Sequence, residues 1–294
     1  MTHAMTVLEL IEAGARRLEA AGVSFGHGTT NAFDEAAWLV LWRLGLPLDD
    51  LETVSKTPLT PDQIEEAATL FEARIESRQP AAYLTREAWL QGVPFYVDER
   101  AIVPRSFIAE LIADGSIDPW LGDRTRRVLD LCTGNGSLAV LAAMAWPDVR
   151  VDAADLSTDA LAVARINVAK HGLDERIRLI ESDGLAACDG PYDLILCNPP
   201  YVNEESMATL PAEFRAEPTI ALAGGEDGMT FIRPLIAAAP SRMTEHAVLV
   251  LEIGNERAHF ESAFPRLEVV WLETSAGDDQ VLLVTREALL AGSQ

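Results

Sequence analysis

The chain has little cysteine and no long hydrophobic run. Its three cysteines, Cys132, Cys188 and Cys197, make no Cys-x-x-Cys pair and cannot form a disulfide framework, so a reducing, cytoplasmic location is expected. The longest apolar run, Leu138 to Trp146, has nine residues. A membrane-spanning helix needs ~18. Glu9, Glu12, Arg16, Arg17 and Glu19 already charge the first twenty positions, which excludes a secretory signal there. Bases are scarce: 23 Lys and Arg stand against 46 Asp and Glu, a net charge of −23. That balance disfavours adhesion to nucleic acid or to an anionic membrane. The five histidines, His3, His27, His171, His246 and His259, are scattered and make no metal spacing, so no metal is expected. Neither a Gly-x-Ser-x-Gly elbow nor a phosphate loop ending in Gly-Lys-Ser/Thr occurs.

What is present fits about two domains: 294 residues, 49% of them apolar. Residues 1–85 read as a small helical bundle. Val7, Leu10, Ile11, Ala15 and Leu18 share one helical face, as do Phe33, Ala36, Ala37, Val40 and Leu44 before Gly45. Thr60, Pro61 and Gln63 predict a capping box ahead of the stripe Ile64, Ala67, Ala68, Phe71 and Ile75. Docking or recognition is the expected role of this part. Residues 86–104 read as a β-hairpin linker, with Gly92, Pro94 and Asp98 interrupting strand formers. From 105 to 294, strands near 127–132, 149–155, 177–181, 192–197 and 247–253 alternate with helical stretches, and 267–272 and 280–284 are further strand candidates. This alternation predicts an α/β fold: an open, mostly parallel sheet with helices on both faces. Ligands then bind outside the carboxyl ends of the strands.

Those ends carry the candidate chemistry. The first strand ends at Asp130-Leu-Cys132 and breaks into Thr133, Gly134, Asn135 and Gly136 before a helix. The glycines bring backbone close to a ligand, and with Ala139 they satisfy the Gly-x-Gly-x-x-Ala dinucleotide form. Asp130 shifts the reading, because a carboxylate there repels a pyrophosphate but receives an ammonium group. S-adenosylmethionine has an ammonium and no phosphate. Asp155 ends the second strand nineteen positions beyond Gly136, the spacing of an acid that accepts ribose hydroxyls; Asp152 is the poorer-spaced competitor. Asp183 either accepts from an adenine amino group or caps a helix. The fourth strand ends in Asn198, Pro199, Pro200 and Tyr201. Two prolines fix two φ angles. They hold the Asn198 side chain and the Pro199 carbonyl as two acceptors for one planar –NH₂ group, with Tyr201 flat against it. Aligning such a poor nucleophile with an electrophilic methyl is positioning and electrostatics.

With these motifs the chain resembles the class I S-adenosylmethionine-dependent methyltransferases, which have a Rossmann-like, seven-stranded sheet, and within them the protein glutamine amide methyltransferases. Ala223-Gly-Gly-Glu-Asp-Gly228 and the stretches Pro80–Leu84, Phe95–Arg100 and Val103–Ser106 carry the resemblance further, so it spans nearly the whole chain. It implies that Asn198 and Pro199 hold the substrate amide, and that Gly134, Gly136 and Asp155 bind S-adenosylmethionine. Asn-Pro-Pro-Tyr is shared with adenine methyltransferases. Two glutamine branches compete, one acting on peptide-chain release factors and one on large-subunit ribosomal protein L-three. The release-factor branch resembles Asp-Leu-Gly-Thr-Gly and Pro-Arg-Pro-x-Thr. This chain has Cys132 at that first glycine and Ser106 after Arg105, which resembles the ribosomal branch. Between Tyr201 and Gly228 six acids, Glu204, Glu205, Glu213, Glu217, Glu226 and Asp227, face one base, Arg215. The segment is expected to border the substrate groove and steer in a basic protein, such as a ribosomal protein within an assembling large subunit, rather than a nucleic acid; a solvated loop is the alternative.

Overall fold

The computed structural model describes residues 4–292, which leaves His3 outside the described residues. Two compact units are present: Met1–Ala88 with Pro211–Glu217, and Trp89–Leu210 with Pro218–Gln294.

The first unit holds helices α1 (Val7–Ala20), α2 (Ala32–Leu44), α3 (Leu51–Val54), α4 (Pro61–Ser77) and α5 (Ala81–Thr85). Thr6 with Glu9 and Thr60 with Gln63 form capping boxes at α1 and α4. Leu10, Ile11, Leu18, Leu39, Val40 and Phe71 share one core. Phe33 leaves the expected stripe and is 39% exposed. Ala32, Ala36, Leu39 and Val40, at i, i+4, i+7 and i+8, set the buried face, and Phe33 lies about 100° away from Ala32. In the middle of this unit stands a buried cation. Arg74 on α4 donates to Glu35 Oε1 at 2.8 Å, to Glu213 Oε1 at 3.2 Å and to the Ser24 carbonyl at 2.8 Å. Burial pushes the Glu35 carboxyl upward despite Arg74. Burial acts the same way on Glu213, but its hydrogen bonds, Arg74's among them, outweigh it and hold the group low.

Two sequence-based boundaries are therefore corrected. The hairpin β1 (Ala88–Leu90) and β2 (Val93–Phe95) forms, yet Leu90 and Phe95 sit in the core with Leu138 and Val140. It belongs to the second unit from Trp89 onward and is not a free linker. Residues 211–217 belong to the helical unit because its buried arginine requires Glu213. Hydrophobic periodicity carries no trace of a charge pair 139 residues apart.

The second unit is a seven-stranded sheet: β3 (Arg127–Leu131), β4 (Arg150–Asp155), β5 (Ile177–Glu181), β6 (Tyr192–Cys197), β7 (Met243–Glu252), β8 (Val270–Thr274) and β9 (Gly277–Thr285). The order is β5-β4-β3-β6-β7-β9-β8. The first five are parallel, and β9 runs antiparallel to β7 and β8. Side chains alternate between two cores, as a doubly covered sheet requires. Val128, Leu194, Leu196 and Val250 join α6 (Ile108–Ala113) and α7 (Ser137–Ala145) on one face. Leu129, Ile195, Cys197 and Leu251 join Ile232, Leu235, Phe260 and Leu289 on the other. Strand order reverses between β3 and β6, so their carboxyl-terminal loops lie side by side with Leu131 level with Cys197.

Candidate active site

The loop after β3 is built around Asp130. This carboxyl is fully buried, and its Oδ2 accepts from the Thr133 hydroxyl and from the Ala139 N–H at 2.9 Å. One side chain thus ties the start of the glycine turn to the first turn of α7. Asp130 Oδ1 has no partner among the described residues. Cys132 adopts φ +61°, the left-handed region. That costs a residue with a β-carbon roughly 1 kcal/mol, at the position where the release-factor pattern has glycine. Contact with Cys197 and burial push the Cys132 thiol well up, so it stays protonated. Asn167, on α8 (Thr158–Lys170), braces the turn from behind. Its Nδ2 donates to the carbonyls of Asn135 at 2.8 Å and Tyr96 at 2.9 Å, and its Oδ1 accepts from the Tyr96 N–H at 2.7 Å.

At the end of β4, Asp155 Oδ2 accepts from the Gly134 N–H at 2.8 Å and Oδ1 from the Ser157 N–H at 2.9 Å. Burial pushes this carboxyl upward against those bonds. Asp152 points elsewhere. It binds Arg127, Arg178 and the Tyr192 hydroxyl at 2.8–3.0 Å and is structural.

A cleft with about 750 Å³ of free space, part of it open solvent, lies over these strand ends. Of the candidate residues, Cys132, Gly134, Asp155, Asp183, Asn198 and Pro200 line it. Asp130, Thr133, Asn135, Gly136, Pro199 and Tyr201 do not; all of these but Tyr201 are buried beneath the surface. Several lining residues escaped sequence reasoning. Leu156 and Ile220 are apolar yet 51% and 55% exposed. Arg100 is the one base in the lining, and Asp98 holds it by two bonds of 2.8 and 2.6 Å. Leu156 could have been found from its position directly after Asp155; Ile220 left no sequence signal.

The Tyr201 strip is packed from behind. A β-carbon on Gly254, whose φ is +53°, would stand 2.5 Å from the Tyr201 ring, so only glycine fits there. The Tyr201 hydroxyl donates to Glu252 Oε1 at 3.3 Å. Glu252 Oε2 accepts from the Ser106 hydroxyl at 2.6 Å and the Phe107 N–H at 2.9 Å. Ser106 is the second position that departs from the release-factor pattern. Glu252 is an acid at the carboxyl end of a parallel strand, as Asp155 is, and the same rule would have found it.

The acidic segment differs from expectation. Glu213 and Glu217 are buried in the helical unit, where Arg74, Arg78 and His27 pair with them. Asp227 pairs with Arg233. Of the six acids only Glu204, Glu205 and Glu226 are exposed. Pairing, buried for Glu213 and Glu217 and nearer the surface for Asp227, removes half of the proposed steering field.

Asp130 and Glu252 are fully buried, and burial pushes each up to about 7, against ordinary values near 4. Between those values the folded state holds protons that the unfolded state has released. Their contribution to stability should therefore fall as pH rises from about 4 to 7. Asp130→Asn should fall less steeply in urea titrations across that range; equal slopes for the two proteins would refute a raised Asp130.

A family model described as Methyltransferase small domain matches residues 118–226. Among solved structures, the hMettl16 catalytic domain in complex with a MAT2A 3′UTR hairpin superposes with a TM-score of 0.52 at 14% identity, covering 77% of this chain and 81% of that one. That likeness concerns the fold alone: this is a class I methyltransferase fold. Ribosomal protein uL3 glutamine methyltransferases of Bordetella pertussis and Burkholderia pseudomallei are 51% and 53% identical, each over 97% of this chain and 96% of the relative. That of Neisseria meningitidis serogroup A is 47% identical over 97% and 94%. The chain belongs to the ribosomal protein uL3 glutamine methyltransferase family.

Proposed function

We propose that the chain transfers a methyl group from S-adenosylmethionine to the side-chain amide nitrogen of a glutamine in ribosomal protein uL3, the large-subunit protein L-three. The observation that carries this reading is the adjacency of the two loops. Asn198-Pro-Pro-Tyr201 leaves β6 level with the glycine turn leaving β3, and Asn198 lines the same cleft as Asp155 and Asp183.

The lining suits S-adenosylmethionine better than a dinucleotide. Its acids would repel a pyrophosphate, and its single base is already paired with Asp98. Asp130 Oδ1 is an unpaired buried acceptor behind the turn, available to an ammonium group through water. The donor's sulfonium supplies an electrophilic methyl. Asp155 accepts the ribose hydroxyls, Asp183 the adenine amino group, and the exposed faces of Leu156 and Ile220 flank a planar base. The Asn198 side-chain oxygen and the Pro199 carbonyl accept both hydrogens of the substrate amide and aim its nitrogen at the methyl. Cys132, Thr133, Asn135 and Gly136 shape the turn, and Pro200 and Tyr201 stiffen the clamp.

Asp155→Ala should weaken S-adenosylhomocysteine binding by about 10–100-fold, the cost of losing hydrogen bonds to a charged acceptor. Calorimetry measures it, and unchanged affinity would remove Asp155 from the ribose role. The reading as a whole is tested by offering labelled S-adenosylmethionine with purified uL3, a release factor and adenine-containing DNA. Label is expected on a glutamine of uL3. Label on the release factor alone would reassign the substrate, and label on adenine would overturn the electrostatic argument against a nucleic acid as well.

No helix among the described residues is long and apolar enough to cross a membrane. A cytoplasmic location, a substrate within an assembling large subunit, and docking by the helical unit belong to the same reading.

A further inference from the structure

We propose that Glu252 is a positioning residue for methyl transfer, acting through the Tyr201 hydroxyl to set the ring that flanks the substrate amide. The inference deepens the amide-transfer reading and rests on it.

Glu252 is anchored independently of Tyr201. Its Oε2 takes the Ser106 hydroxyl and the Phe107 N–H, both from the stretch just ahead of α6. That leaves Oε1 for the Tyr201 hydroxyl. Gly254, two residues on, lies against the same ring. Glu256 continues the pattern, with Oε1 accepting from Asn203 Nδ2 at 2.7 Å. The loop after β7 thus grips the strip Tyr201–Asn203 at two acids and one glycine. A buried carboxyl is expensive, and Oε2 offsets part of that cost by accepting from the Ser106 hydroxyl and the Phe107 N–H. What the carboxyl adds is direction, because a hydrogen bond fixes the azimuth of the phenol ring and packing against a glycine fixes only its plane. Tyr201 itself does not line the cofactor cleft, so an error in ring placement should reach the amide and leave the cofactor untouched.

The test uses the full-length enzyme with purified uL3. Tyr201→Phe, which keeps the ring, and Glu252→Ala should each lower kcat about 10–100-fold, the loss expected for a misplaced reactant, with S-adenosylhomocysteine affinity unchanged. Combined, they should cost little more than either alone, because they break one link. Glu252→Gln keeps a carbonyl for Ser106 and Phe107 and an amide for the tyrosine oxygen, and should restore most of kcat. Multiplying losses, or full activity in Tyr201→Phe, would overturn the proposal. Ser106→Ala, which frees Glu252 on its far side, replaces Glu252→Ala if that variant does not fold. A second readout needs no turnover. Fluorotyrosine at position 201 should give one sharp ¹⁹F resonance in the wild type and in Glu252→Gln, and a shifted or broadened one in Glu252→Ala or Ser106→Ala. An unchanged resonance in the truncated variant sinks the positioning role even if uL3 is not the substrate. A changed resonance with no methylation of uL3 by the wild type would sink the transfer reading alone.

Discussion

Arg74→Ala is expected to destabilise the helical unit by about 3–5 kcal/mol, the usual cost of removing one partner from a buried ion pair. The arginine has no exposed surface, and neither Glu35 nor Glu213 has more than 1%. Truncation leaves Glu35 without a cation, Glu213 with Arg78 alone, and the Ser24 carbonyl without its Arg74 donor. A carboxylate in that position takes up a proton, or water enters, and either response costs a large part of a domain's stability. Urea unfolding followed by circular dichroism should show a much lower midpoint. Arg17→Ala provides the contrast, since its bond to Glu72 joins side chains that are 41% and 60% exposed. It should change stability by less than about 1 kcal/mol. Replacing Arg74, Glu35 and Glu213 together by apolar residues of similar volume should recover most of the loss, because the cost lies in breaking the cluster and not in lacking it. An Arg74→Ala protein as stable as the wild type would show that the carboxylates find other partners.

The same cluster marks the limit of what a sequence discloses. The sheet was legible because its signals are local: β6 runs where the continuous apolar stretch Leu194–Cys197 stands, as a strand covered on both faces requires, and Thr60-Pro61-x-Gln63 starts α4 as written. The site loops were legible because Gly134, Gly136 and the two prolines have few structural uses in that arrangement. The charges were not. Glu213 and Glu226 look alike in a count of acids, yet one is fully buried against Arg74 and the other is exposed. That distinction rests on residues brought together from far along the chain. Likewise Ser106 could be noticed as a departure from a pattern, but its use, a 2.6 Å bond to Glu252, joins positions 146 residues apart. Asp130 was expected to face a ligand. In the structure one of its oxygens is committed to the turn, and only the other is available.

Asn198→Ala should remove turnover almost completely while leaving cofactor affinity nearly intact. An amide nitrogen is a poor nucleophile because its lone pair is delocalised into the carbonyl. No strong base lines the cleft: Asp155 and Asp183 are its acids, and both sit at the nucleoside end in the reading above. Rate then depends on holding the –NH₂ group so that its nitrogen faces the methyl, and on acceptors that meet the positive charge building on nitrogen. Asn198 supplies one of two acceptors, and the other is a backbone carbonyl that no substitution removes. Losing one preorganised contact of this kind costs roughly 10²–10³-fold in kcat. The ribose and adenine contacts lie on Asp155 and Asp183, so S-adenosylhomocysteine should bind Asn198→Ala within a few-fold of the wild type. Asn198→Asp sharpens the argument. It keeps an oxygen in place and adds a full negative charge opposite the developing positive one, so it should retain more activity than alanine. Steady-state rates at saturating uL3, with calorimetry for the cofactor, separate the outcomes. A large loss of cofactor affinity in Asn198→Ala would make Asn198 a cofactor residue, and near-full kcat in that variant would remove the amide clamp from the mechanism.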